Sequence, residues 1–231
     1  MTSTTTPEAT PQPGGQPEVD LTAYRLAHRA MVADSSELAD LADLVAGGRT
    51  VLTPGGAEAL ASYCRRVCAD ISDLHAAEGR EFWPVVAAAA GAAVDLSDLA
   101  DDHDAIEPVL ARCRSTAAQL ALAPTEPAAA AALAGAATDL RDLLAEHVAE
   151  DERDLFPAVL RFVPAADFAA AAARARRRLG LRRVAWLLPW LAEHATAAET
   201  ERLLAVGGRG AGLMLALGRP RFRRARRAAL G

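Results

Sequence analysis

Leu21, Tyr24, His28, Met31, Ser35, Leu38, Ala42 and Val45 follow one another at alternating spacings of three and four residues. That period is one face of an α-helix, and a face this apolar must be buried against a partner. Three more stripes share it: Leu60, Cys64, Val67, Ile71, Leu74 and Glu78; then Leu96, Leu99, His103, Ile106, Leu110 and Ala117; then Leu140, Leu144, His147, Asp151, Leu155 and Ala158. Breaks separate them. In "GGRTVLTPGG", Thr53 and Pro54 suit an N-cap and a first helical residue, and "APTEP" divides the third stripe from the fourth. Alanine dominates the apolar residues, and stretches rich in alanine without β-branched runs favour helix. Helices of roughly 25 to 35 residues with connections of about 5 to 10 predict an all-α fold, an up-down-up-down four-helix bundle over residues 20–163.

Outside that span the pattern changes. Residues 1–19 open with "MTSTTTPEATPQPGGQPE", which has neither a basic n-region nor an apolar core; it reads as a disordered tail, not a signal peptide. After "FVPAADF" the stripes shorten, and residues 164–206 predict a C-terminal extension of short helices near 166–179, 182–194 and 197–204, with a kink at Pro189. Residues 207–231 form a basic tail with seven arginines and no acid. No run of apolar residues is long enough for a transmembrane span. Three cysteines, Cys64, Cys68 and Cys113, without a secretory signal, point to a reducing, cytoplasmic setting, with the thiols filling gaps in the core.

One helix end is written twice. "LHAAEGREFWPVV" (74–86) and "HVAEDERDLFPAV" (147–159) align proline on proline, which pairs Glu78 with Asp151 and Trp83 with Phe156. The aromatic–proline pairs read as structural plugs, with each proline ending or bending its helix. The two acids lie on apolar stripes, where an unpaired carboxylate costs several kcal/mol or is forced to protonate. His28, His103 and His147 lie on stripes as well, and His75 sits at the edge of one. A bound cation removes the cost, and imidazole with carboxylate suits Fe, Mn or Zn without thiolates. His147 and Asp151, at i and i+4, project from one side of a helix. The distance from His28 to position 74 is 46 residues and that from His103 to His147 is 44. Each is what one helix, one turn and half the next helix would take, so an antiparallel bundle brings these groups to one depth. Two helix pairs, each offering a His and then a His with an acid, would make a two-metal cage bridged by the acids.

These residues resemble the hemerythrin-like (HHE cation-binding) family in its actinobacterial form. The resemblance rests on the repeated H-x-x-x-acid ends with their aromatic–proline pairs, on "AHRAM" (27–31), "DHDAI" (102–106) and "LPWLAEHAT" (188–196), and on the ending "LGRPRFRR" (217–224). It implies a four-helix bundle around a non-haem diiron site that binds O2, or senses or handles O2, NO, peroxide or iron. The metal ligands it implies are His28, Glu78, His103, His147 and Asp151, with Glu107 matching a further ligand of some members. One position departs: Leu74 stands where the second helix should present a histidine. His75, 100° further round, shares a side with Glu78 at i, i+3, and a helix rotation or bulge would bring it inward, completing the set.

Three functions follow as expectations. The first is a protein that binds two irons, or one, and takes a small ligand such as O2, NO or peroxide; it reads as a binding or sensing protein, not a classified enzyme. The second is a metal-depleted helical bundle kept as an interaction module, for which Leu74 is the best support. The third is a mononuclear Zn or Mn site. On the first reading, a histidine restored at position 74 is expected to raise metal affinity. No nucleic-acid partner is expected. The arginine-rich tail predicts weak contact with anionic surfaces, or packing on the acidic runs "LADDHD" and "AEDERD".

Overall fold

The computed structural model describes residues 18–231, so nearly all of the expected 1–19 tail lies outside the described residues. Those residues are all-helical, with no strand among them. Thr53 caps α2 (Pro54–Ala77) by accepting the Gly56 N–H, with Pro54 at the first helical position. α1 (Thr22–Ala46) lies along α5 (Pro127–Glu150), α5 along α4 (Ser97–Leu122), and α4 along α2. The predicted stripes line the interior, where Met31, Ile71, Leu110 and Leu144 are fully buried, as are Leu26 and Leu133 outside the stripes. Each such side chain contributes about 1.5–3 kcal/mol of transfer free energy. Pro108 sits inside α4 without ending it.

Of the two roles expected of each proline, an end or a bend, the first is absent. Neither proline ends its helix; Pro84 lies in the first turn of α3 (Trp83–Ala90) and Pro157 in that of α6 (Phe156–Phe162). The irregularity comes just before, as a π-helical turn at Glu78–Phe82 and another at Asp151–Leu155. The Trp83 N–H reaches back five residues to the Glu78 carbonyl, and the Phe156 N–H does the same to Asp151. A π-turn holds one residue more than an α-turn, and such turns recur at functional sites. Past the two turns, Val86, Leu155, Phe156, Val159, Val163 and Phe168 form a second apolar cluster that closes this end of the bundle.

α1 and α2 barely touch each other, and α7 (Ala165–Glu193) and α9 (Ala211–Leu230) pack along that side. α7 breaks at Gly180, whose φ of 72° is left-handed and free of strain only for glycine, so the expected pair of helices is present with the break at that residue. Pro189 lies within the second half. α8 (Ala197–Gly207) opens on a capping box between Thr196 and Glu199. Residues 211–230 of the expected basic tail are helical, and they pack on α2 and α7, not on the two acidic runs. Arg219 and Arg223 pair with Glu193, and Arg226 with Glu37 and Asp34. Asp34, buried, accepts the Tyr63 hydroxyl at 2.6 Å and the Trp190 indole N–H at 2.8 Å, and faces His194 at 3.4 Å. One carboxylate thus joins α1, α2, α7 and α9. No helix is long and apolar enough to cross a membrane among the described residues.

Candidate metal centre

The two π-turns start at Glu78 and Asp151, and that start places both carboxylates inside the bundle, 5% and 1% exposed. Each meets a histidine from a different helix. Glu78 Oε2 lies 3.3 Å from His103 Nε2 of α4, and Asp151 Oδ2 lies 3.4 Å from His28 Nε2 of α1. The aromatic residue five positions after each acid stacks on the same histidine. Trp83 lies over His103 with centroids 4.7 Å apart, and Phe156 over His28 at 5.2 Å. The repeat in the sequence is therefore a repeat in space: each copy supplies a carboxylate and a ring to one imidazole. The aromatic positions are plugs, as expected, and they also fix the imidazole planes.

His75 and His147 complete the centre. His75 is buried and stacks on His103 at 4.1 Å, while its ring meets His147 edge-on at 5.1 Å. Nitrogen or oxygen atoms of His75, Glu78, His103 and His147 all lie within 4.8 Å of one another. His147 Nε2 is 3.8 Å from Asp151 Oδ2, which links this group to the His28–Asp151 pair. The structure thus brings together all six residues that the sequence singles out, with His28 and Asp151 outside the tight group of four. Leu74 is half-buried and lines a cavity between the bundle and α7–α9, while the neighbouring His75 takes the inward place. Glu107 takes no part: its carboxylate accepts the Ser72 hydroxyl at 2.7 Å on the outside of the bundle.

The donor set suits a cation. His28 Nε2, His75 Nε2, His103 Nε2, both ring nitrogens of His147 and Glu78 Oε2 are buried and without a hydrogen-bond partner. An unsatisfied buried polar atom costs about 1–3 kcal/mol, a cost that one cation shared among these atoms would remove. Burial, reinforced by the neighbouring imidazoles, holds His75 well below the usual histidine pKa. Burial also lowers His147, in spite of Asp151 and Glu78. Neutral imidazole is the form that binds metal. At His28 burial acts downward, but the Asp151 carboxylate 3.4 Å from Nε2 and the Glu78 charge outweigh it and raise the pKa.

Two participants escaped the sequence reading. Tyr24 is on the first stripe, one turn before His28, and that position was the available signal. Its hydroxyl is buried without a hydrogen-bond partner, and burial, then the Glu78 and Asp151 charges, keep the phenol protonated well above its usual range. Glu152 is half-exposed, yet its Oε1 stands 3.4 Å from His28 Nδ1, where it can fix the tautomer that leaves Nε2 free as a donor atom.

The model of the hemerythrin HHE cation-binding domain matches residues 19–159. The chain belongs to the hemerythrin HHE cation-binding family. The match runs from α1 into α6 and contains all six of these residues. No curated protein and no solved structure matches the chain. A second cluster lies deeper in this hemerythrin-like bundle: Cys64 Sγ is 3.9 Å from Cys68 Sγ and 3.6 Å from Cys113 Sγ, all three buried as free thiols.

Proposed function

We propose that this hemerythrin-like chain is a non-haem iron protein that holds two irons at full loading and presents them to a small ligand such as O2, NO or peroxide. The observation that carries the reading is the convergence of unpartnered donor atoms from α1, α2, α4 and α5 at one level of the interior. His28 and Asp151 would hold one ion, His75 and His103 with Glu78 the other, and His147 stands between the two groups. Bound iron would supply a redox-active Lewis acid with a position open to a diatomic ligand. The chain's own part is to orient the imidazoles by the Trp83 and Phe156 stacks, to exclude water through the apolar end cluster, and to keep a proton on Tyr24 Oη beside Glu78. We place the protein in the cytoplasm, to which its three free thiols are suited.

The test is anaerobic loading with Fe(II), followed by iron analysis and near-ultraviolet spectra in air. Two irons per chain and a bridged-diiron band are expected, both lost in His147→Ala and Asp151→Ala. At a hundredfold excess over Kd, binding adds about 2.7 kcal/mol, a Tm rise of about 5–10 °C. A chain that takes up no iron, with an unchanged Tm, sinks the reading and leaves the interaction module. A one-metal site is the second reading, because only His75, Glu78, His103 and His147 form the tight group. It predicts one ion per chain, whether iron, Mn or Zn, and an iron content that survives His28→Ala.

A further inference from the structure

The cavity onto which Leu74 turns has a volume of about 700 Å³, within the usual range of small-molecule sites. It lies between the bundle and the C-terminal helices, with Leu74 of α2, Leu187 and Leu191 of α7 and Met214 of α9 among its aliphatic walls. Two polar features interrupt the lining. Tyr24 and Glu78, both belonging to the metal centre, form one edge, so an occupant of the cavity would lie against that centre. Arg176 and Arg177 are the other.

The arginines of α7 divide sharply. Arg174 and Arg178 clamp Glu81, and Arg183 pairs with Asp73 and Asp70. Arg176, half-buried, and Arg177, exposed, line the cavity and have no carboxylate partner among the described residues. An apolar chamber beside two uncompensated guanidinium groups is complementary to an aliphatic chain with an anionic head. Guanidinium forks bind carboxylate by paired, charge-assisted hydrogen bonds. The exposed Leu181, which also lines the cavity, extends the apolar surface outward.

We propose that this cavity binds an anionic amphiphile of the fatty-acid class, with its carboxylate on Arg176 and Arg177 and its chain along the Leu74–Leu187–Leu191 wall. Leucine at position 74 then has a role of its own: it makes apolar the wall that a histidine there would make polar. The binding needs no metal, so it stands or falls separately from the iron reading.

The experiment is calorimetric titration of the full chain, below the micelle concentration, with dodecanoate and with dodecan-1-ol, each on metal-free and on iron-treated protein. Saturable one-to-one binding of dodecanoate is expected, at least about tenfold tighter than the alcohol. The double variant Arg176→Ala/Arg177→Ala is expected to bring dodecanoate to the level of the alcohol while leaving alcohol binding unchanged. Leu74→Trp, which narrows the chamber at the wall the chain would follow, weakens both ligands; Leu187→Trp serves in its place if that variant does not fold. Dodecanoate that fails to saturate overturns the proposal, as does equal affinity for the alcohol or binding unaltered in the double arginine variant. Iron uptake without dodecanoate binding rejects this inference alone, and dodecanoate binding without iron uptake rejects only the iron reading.

Discussion

Replacing Asp34 by alanine removes the acceptor on which four helices meet. The Tyr63 hydroxyl and the Trp190 indole N–H both donate to Asp34 Oδ2, and both are buried. Each donor left without an acceptor costs about 1–3 kcal/mol, and Arg226 and His194 lose a charge partner as well. Asp34→Ala should therefore destabilise the chain by about 4 kcal/mol in denaturant unfolding at pH 7. Asp34→Asn keeps an oxygen that can accept both bonds but sets an amide NH2 toward Arg226 and His194 in place of Oδ1, so its cost should be smaller, about 1–2 kcal/mol. Burial alone would raise the Asp34 carboxyl, but the bonds from His194, Tyr63 and Trp190 outweigh it and hold the pKa below the usual aspartate value. A carboxyl depressed in the folded state stabilises fully above its unfolded pKa of about 3.9 and loses that contribution as pH falls through the folded value. The gap between wild type and Asp34→Asn should accordingly narrow below about pH 4. An Asp34→Ala variant within about 1 kcal/mol of wild type, or Asn and Ala variants of equal stability, would refute the reasoning.

At the metal centre, His75→Ala should lower iron affinity by at least about tenfold, as read by chelator competition, since even outer-shell partners of metal ligands are worth that much. Leu74→His, whose side chain turns to the cavity, should leave iron affinity unchanged; a rise would restore the register the sequence suggested. A Cβ at Gly218 would stand 2.7 Å from Pro189 Cγ and 3.0 Å from the Ala185 carbonyl. Gly218→Ala should therefore push α9 off α7 at a cost of about 1–3 kcal/mol, measured as a lower midpoint in guanidinium. Cys64, Cys68 and Cys113 should react with a thiol reagent only on unfolding, because all three are buried: hydrogen bonding among them, then burial, raises Cys64 and Cys68, and although the same bonds bring Cys113 down to about 4, its sulfur stays out of reach of the reagent.

The helices and their inward faces were legible because burial imposes a period on the sequence, and the buried acids Glu78 and Asp151 were conspicuous against it. The choice between Leu74 and His75 was not legible. Both lie within one turn of α2, and only the placement of α7 and α9, which give Leu74 an apolar chamber to face, decides which side chain points where. Tyr24 and Glu152 escaped for a related reason: their roles depend on groups from other helices. The basic ending looked like a tail because its charges are frequent, whereas the partners that dock it, Glu37, Asp34 and Glu193, are scattered through the chain.

The widened turns at Glu78–Phe82 and Asp151–Leu155 give the two helices a tolerance for length that ordinary helix lacks. Losing Gly79 would leave Trp83 four residues after Glu78 instead of five, and an α-turn of four residues sweeps about 400°, so Trp83 would face nearly the side it faces now. A one-residue deletion here should therefore spare the packing beyond the turn, whereas the same deletion in the middle of α2 would rotate every later side chain by about 100°.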